Sequence, residues 1–191
     1  MAGPAASGTG AVFLDRDGTI SMDLPEGYLH KPDDLVLITG AAVAIRRLNG
    51  RGVKVIIITN QSGVGRGYFK EEDVQKVNAR LEALLSVEGA HIDGIYYCIH
   101  RPDEDCSCRK PQSDLVIRAA GEHGVDLARS FVVGDKASDV ELAWRSGAKG
   151  VLVMTGLGPA ELEKMARRPD HVAPRLIEAV DWILGEMERE E

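Results

Sequence analysis

Residues Val53-Lys-Val-Ile-Ile-Ile58 form a nearly continuous β-branched run, and it does most to limit what this chain can fold into. A strand with one wet face alternates apolar and polar residues; a strand covered on both faces is apolar almost throughout. Such a strand belongs in a parallel sheet layered between helices. The flanking segments fit that demand. Ala11 to Leu14 reads as a first strand, and a loop punctuated by Pro and Gly follows to about Pro32. Ala41, Ala44, Ile45 and Leu48 fall at helical spacing, and Gly50 and Gly52 end that helix. Glu71 to Leu85 predicts a helix with Val74, Val77, Leu81 and Leu84/Leu85 on one face. Ile92 to Ile99, Phe131 to Val133 and Gly150 to Met154 predict further strands, with helices over Asp114 to His123 and about Asp139 to Arg145. The tail adds a helix near Ala160 to Arg167, an extended piece at His171 to Ala173 and a last helix from Arg175 to Leu184. This alternation predicts a three-layer α/β fold with a mostly parallel sheet and helices on both faces.

In such folds ligands bind beyond the carboxyl ends of the strands, and the unusual polar residues gather there. Asp15 and Asp17 follow the first strand, Thr59-Asn60-Gln61-Ser62-Gly63 the second, a cysteine cluster with Arg109-Lys110 the third, and Gly134-Asp135-Lys136 with Asp139 the fourth. Asp15 and Asp17 stand one residue apart, and residues i and i+2 of a strand share a face. Two carboxylates so close repel unless a cation lies between them or one is protonated, and Mg²⁺ is the natural counter-charge. The alternative is a plain Asp-x-Asp-Gly turn. A calcium loop fails, because Thr-Ile-Ser-Met follows Gly18 where further acids would be needed.

Cys98, Cys106 and Cys108 fall within eleven residues, with His100 among them. Three thiolates and one imidazole complete a tetrahedral Zn²⁺ set with no open position, which makes the site structural. The alternative is three free cysteines beside a surface histidine. An odd, clustered set without an export signal points to a reducing cytoplasm and to metal binding instead of disulfides. Met1 to Gly10 is rich in small residues and lacks the basic start and apolar centre of a secretory signal, so it reads as a flexible leader. The 191 residues suffice for one domain, and the net charge of −7 argues against a nucleic-acid partner. No apolar run reaches the ~18 residues of a membrane span, so no membrane partner is expected.

The constellation Asp15-x-Asp17-Gly-Thr, Thr59-Asn60, Lys110 and Asp135-x-x-x-Asp139 resembles the haloacid dehalogenase (HAD) superfamily of phosphotransferases from Ala11 to about Val153. The resemblance implies a Rossmann-like, HAD-type domain over residues 11–191, after the leader at 1–10. One loop and one helix fill the gap from Asp17 to Thr59, and a helix, a strand and the zinc loop at 98–108 fill that from Thr59 to Lys110, so no large cap is expected. The resemblance also implies that Asp15 is the nucleophile and forms an aspartyl-phosphate, and that Asp17 is the general acid/base. Thr59 and Lys110 would hold the transferring oxygens. Mg²⁺ would be held by Asp15, Asp135 and the main-chain carbonyl of Asp17, with Asp139 supporting the metal shell or Lys110.

Within the superfamily, the zinc loop joined to Cys108-Arg-Lys-Pro111 is similar to the heptose-1,7-bisphosphate 7-phosphatases and to the histidinol-phosphatases. Gly27-Tyr28-Leu29-His30, Thr59 to Gly67 and Asp93 to Cys98 resemble the heptose enzymes, whereas Pro111-Gln-Ser-Asp departs from their Pro-x-Pro-Gly. That likeness places Asp23, Gly27, Tyr28, Asn60, Gln61, Ser62, Arg66, Arg109 and Lys136 against a small phosphorylated sugar. Arginine forks suit a second phosphate; the alternative for Arg66 and Arg101 is a solvated surface. Histidinol phosphate carries an amine and would prefer an acid there. A cytoplasmic monomer is expected. The rival from another class is a non-catalytic, zinc-stabilised interaction domain, which would be expected to lose Asp15, Asp17, Lys110 or Asp135; none is missing.

Overall fold

The computed structural model describes residues 8–24 and 27–189. The β-branched run becomes β2 (Lys54–Asn60), five of whose seven residues are buried. β1 (Ala11–Leu14) and β3 (Gly94–Cys98) flank it, and β4 (Phe131–Gly134), β5 (Lys149–Val153) and β6 (His171–Ala173) extend the sheet beyond β1. Every pairing is parallel, in the order β3-β2-β1-β4-β5-β6. Parallel neighbours need long crossovers. The helices are α1 (Ala41–Gly50), the short α2 (Ser62–Gly65), α3 (Glu71–Val87), α4 (Asp114–His123), α5 (Ala137–Ser146), α6 (Gly158–Lys164) and α7 (Leu176–Arg189).

The pleat sorts each strand into two cores. Val12, Leu14, Val55, Ile57 and Val133 pack with Ile45, Leu48, Leu81, Val180 and Ile183 of α1, α3 and α7. Ala11, Phe13, Ile56, Ile58 and Val132 pack on the other face with Val116, Ala119, Leu142 and Ala143 of α4 and α5. Each fully buried Ile or Phe contributes about 1.5–3 kcal/mol relative to exposure, so the strand ends rest on a rigid support.

Boundaries differ from the sequence expectation for local reasons. The strand expected over Ile92 to Ile99 shortens to β3. The Asp93 carboxylate accepts the Val55 N–H at 2.8 Å in place of a ladder bond. Helix α5 starts at Ala137 instead of near Asp139, because the Asp139 carboxylate takes the Lys136 N–H at 3.1 Å and caps the first turn. Helix α6 starts at Gly158, ahead of the expected Ala160, with Pro159 in its first turn. Helix α2 is too short for a periodicity to reveal it. Most of the leader expected at 1–10 lies outside the described residues, although the Thr9 carbonyl accepts the Asp126 N–H at 3.2 Å.

The chain builds outward through β2 and β3, then returns to place β4 on the other side of β1. That reversal opens a crevice outside the carboxyl ends of β1 and β4. Between β1 and α1 the described residues contain only a 3₁₀ turn, Pro32–Asp34, and isolated bridges from Ser21 to Asp17 and Leu37. No inserted cap domain covers the crevice there. Among the described residues no helix is long and apolar enough to cross a membrane.

Candidate active site

The Asp15 N–H still donates to the Val133 carbonyl of β4 at 2.9 Å, so the ladder carries Asp15 to the crevice. Lys110 Nζ lies 2.7 Å from Asp15 Oδ1, 2.8 Å from the Ile58 carbonyl and 2.6 Å from Asp139 Oδ1. Of the ammonium's three donors, two make hydrogen bonds, to Asp15 and the Ile58 carbonyl, while Asp139 Oδ1 is held as an ion pair without a hydrogen bond. Burial works against charge on Asp15, but Lys110 and Lys136 more than offset it and hold its pKa below the usual carboxylate value. Burial likewise opposes the charge on Lys110, and Asp139 and Asp15 more than restore it. Asp139 divides its oxygens between the α5 cap and Lys110. Asn60, expected among substrate contacts, also braces Lys110. Its side-chain oxygen accepts the Lys110 N–H at 3.1 Å, and its amide nitrogen donates to the Lys110 carbonyl at 3.3 Å.

Asp17 is held from four directions. Arg16 Nε and Nη2 each reach a different carboxylate oxygen at 2.9 Å, Gln61 Nε2 donates at 2.9 Å and Ser21 Oγ at 3.2 Å. Arg16 is fully buried, and two further donors go to Asn78 Oδ1 of α3 at 2.8 Å and the Leu29 carbonyl at 3.5 Å. Four of the five guanidinium donors are thus paired, as a buried charge requires. Gln61 also donates to Thr59 Oγ1 at 2.9 Å, which leaves the Thr59 hydroxyl hydrogen to point elsewhere.

Lys136 reaches deeper than its expected place against a substrate. Its ammonium sits 3.1 Å from Asp135 Oδ1, 3.4 Å from the Asp17 carbonyl and 3.7 Å from Asp15 Oδ2. Those three groups are the ones that the family resemblance would give to Mg²⁺. Carboxylate oxygens of Asp15, Asp135 and Asp139 lie within 4.8 Å of one another. Burial, with Asp15 nearby, pushes the Asp135 pKa up to about 6. An all-oxygen set already gathered around one ammonium fits a hard divalent cation.

Above this floor lies a cleft of about 400 Å³. Asp15, Asp17, Asp23, Gly27, Tyr28, Thr59, Asn60, Gln61, Ser62, Arg109, Lys110 and Lys136 all line it. Arg66 does not. It lines a separate hollow of about 380 Å³ with Tyr68, Arg101, Pro102 and Asp103, and Arg101 there is paired with Asp103 at 3.0 Å. Tyr28 packs 5.6 Å from Tyr68 and 5.7 Å from Phe69, and His30 stacks on Phe69 at 5.3 Å. These rings fasten one cleft wall to the loop after α2.

The sulfur–nitrogen cluster gathers as its spacing implies. Cys98 Sγ lies 3.8 Å from Cys106 Sγ, which lies 3.9 Å from Cys108 Sγ; His100 Nδ1 is 3.1 Å from Cys108 and 3.4 Å from Cys98. A tetrahedron with Zn–S bonds of ~2.3 Å has edges of about 3.8 Å, so the donors fit a zinc ion. Without a metal, burial pushes the Cys98 thiol pKa far up, which leaves it neutral.

Sequence reasoning misses Arg16, Asn78 and the Thr155–Leu157 loop. Two of these leave a trace. Arg16 is a cation wedged between two acids just past an all-apolar strand, and Asn78 interrupts the apolar stripe Val74, Val77, Leu81 of α3. The third leaves none.

A HAD-hydrolase-like family model matches residues 107–179. The D-glycero-D-manno-heptose-1,7-bisphosphate 7-phosphatase of Thermosynechococcus vestitus is 41% identical over 187 residues, covering 91% of this chain and 94% of that protein. The D-glycero-beta-D-manno-heptose-1,7-bisphosphate 7-phosphatase of Haemophilus ducreyi is 40% identical, covering 92% and 99%. Among solved structures, the D,D-heptose 1,7-bisphosphate phosphatase of B. bronchiseptica, complexed with magnesium and phosphate, matches with a TM-score of 0.87 at 31% identity, covering 93% of this chain and 99% of that one. Sequence and fold agree, and the chain belongs to the heptose-1,7-bisphosphate 7-phosphatase family of HAD hydrolases.

Proposed function

We propose that the chain is a Mg²⁺-dependent phosphatase that removes the 7-phosphate of D-glycero-D-manno-heptose 1,7-bisphosphate through an aspartyl-phosphate on Asp15. It works as a cytoplasmic monomer, in the biosynthesis of nucleotide-activated heptose for a lipopolysaccharide core or S-layer glycan. The observation that carries the reading is the buried Asp15–Lys110 pair at 2.7 Å beneath an open cleft, in a chain 41% and 40% identical to two heptose phosphatases.

Lys110 keeps Asp15 ionised, as a nucleophile requires. Asp15 attacks phosphorus, the bond from phosphorus to the sugar oxygen breaks, and Asp17 gives its proton to that oxygen. Asp17 then takes a proton from the water that attacks the acyl phosphate, which releases inorganic phosphate and restores Asp15. The Thr59 hydroxyl and the Lys110 ammonium hold the transferring oxygens. Asp15, the Asp17 carbonyl and Asp135 would hold Mg²⁺, whose charge offsets that of the phosphoryl group. Arg109, at the cleft, meets the distal phosphate. Cys98, His100, Cys106 and Cys108, whose donor atoms lie together, would hold a structural Zn²⁺ that steadies the loop leading into Arg109 and Lys110.

Phosphate release from both heptose bisphosphate anomers and from histidinol phosphate, with and without Mg²⁺, tests the reading. The expected result is Mg²⁺-dependent release with the heptose substrates preferred. A preference for histidinol phosphate would overturn the substrate, and no release from any ester would favour an interaction domain.

A further inference from the structure

The loop after β5 touches one of the three groups proposed to hold Mg²⁺, Asp135, and the peptide next to a second, the Asp17 carbonyl, yet none of its side chains lines the cleft. Thr155 Oγ1 donates to the Gly18 carbonyl at 2.6 Å, one peptide beyond the Asp17 carbonyl. The Leu157 N–H donates to Asp135 Oδ2 at 2.8 Å. Gly156, between them, has φ +52° and passes so close that a Cβ there would lie 2.2 Å from Asp135 Oδ2 and 2.9 Å from Gly18 Cα. Gly18 answers from the other side, where a Cβ would lie 2.3 Å from the same oxygen. The next turn adds a further tie, because Glu161 Oε2 accepts the Ala137 N–H at the start of α5, 3.1 Å away.

These contacts settle which oxygens face the cation position. Asp135 Oδ2 is taken by the Leu157 N–H, which leaves Oδ1 to meet the Lys136 ammonium. The Thr155 hydroxyl holds the Gly18 carbonyl, and the adjoining Asp17 carbonyl faces that same ammonium. A loop 137 residues away from Gly18 in the chain thus orients donors from two other strand ends.

We infer that Thr155, together with the Leu157 backbone N–H, is a positioning element that presents Asp135 Oδ1 and the Asp17 carbonyl to the divalent cation. Thr155 contacts neither substrate nor cation; it acts through Gly18 and the peptide beside it. The inference rests on the Mg²⁺-dependent reading above and adds a fifth strand-end loop to the site. Partners in the outer shell of a metal commonly set affinity by ~10–100-fold, and a single neutral hydroxyl belongs at the low end.

The test is calorimetric titration of the full chain with Mg²⁺ alone, for wild type, Thr155→Val and Thr155→Ser. Valine keeps the shape and removes the hydroxyl, so Mg²⁺ should bind ~10-fold more weakly; serine keeps the hydroxyl and should stay within about twofold of wild type on the same grounds. Thermal melting without Mg²⁺ checks that both variants fold. In phosphate release, Thr155→Val should need more Mg²⁺ for half-maximal rate yet recover kcat at saturating Mg²⁺. Wild-type affinity in Thr155→Val, or equal losses in valine and serine, would overturn the inference and leave the proposed function standing. A wild-type chain that binds no Mg²⁺ would overturn both. Mg²⁺ affinities as expected, with no phosphatase activity in any of the three proteins, would support the positioning role and sink the function.

Discussion

Two polar clusters adjoin along the chain at Lys110, and they are built in opposite ways. The acid cluster draws Asp15, Lys110, Asp135 and Asp139 from distant parts of the chain, with Asp15 and Lys110 separated by 95 residues. All four are buried. The cysteine cluster draws its donors from eleven consecutive residues, with Cys98 at the end of β3, Cys106 and Cys108 half-buried and His100 exposed. The sheet assembles the first, and its charges are already paired before a metal arrives. Apart from Cys98, the second draws its donors from no strand or helix, although Cys106 and Cys108 pack against the core, and the proposed metal would supply the cross-link. The first is preorganised by the fold, and the second would be preorganised by the ion it is proposed to hold.

The largest expected effect tests whether the acid cluster is chemical as well as structural. Asp15→Asn preserves shape and removes the nucleophile, so turnover should fall by roughly 10³-fold or more while the protein still melts cooperatively. Near-normal activity in Mg²⁺ would exclude the aspartyl-phosphate.

Lys110→Met asks how much of the cluster is held by paired charge. It leaves Asp15 and Asp139 buried without their shared cation, and breaking a buried pair in this way costs about 3–5 kcal/mol. Urea unfolding measures it. An unchanged midpoint would mean that Lys136 compensates.

The cysteine loop should behave differently. Cys106→Ser should lower bound zinc from about one ion per chain, a four-donor site holding one ion, and should loosen the loop. A displacement of about 1 Å near the chemistry can cost ~10²-fold, but Asn60 still grips the Lys110 backbone. A loss nearer ~10-fold in kcat/KM is expected, below that 10²-fold figure. Full activity in zinc-free protein would show that the fold positions Lys110 unaided.

The smallest effect concerns pH. Without metal, Asp135 has its pKa raised by burial to about 6, so it is protonated below that pH and ionised above it. Mg²⁺ takes the ionised form and releases the proton. Affinity should therefore be flat above pH 6 and weaken by up to ~10-fold per pH unit below it, one proton being displaced. Calorimetric titrations on both sides of that value read it, and a pH-independent affinity would show that Lys136 keeps Asp135 ionised throughout.

What can be read along the chain are features carried by short spans. The β-branched run of Val53 to Ile58 demands a strand covered on both faces, and the alternation around it demands a parallel sheet. The acid pair at Asp15 and Asp17, and the donors between Cys98 and Cys108, are local patterns whose chemistry follows from residue type and spacing. What only the tertiary structure decided is which distant groups meet. Asn60 grips Lys110, Arg66 faces a separate hollow, Lys136 sits among the acids, and Arg16 with Asn78 takes hold of Asp17. The Thr155–Leu157 loop carries no motif at all, since one of its two contacts is made by a backbone N–H that any residue but proline supplies. Spacing along a strand or loop is fixed by covalent geometry and leaves a pattern in the sequence. Contacts across strand ends depend on sheet order and register, which distribute over many apolar residues and leave no pattern at the residues they bring together.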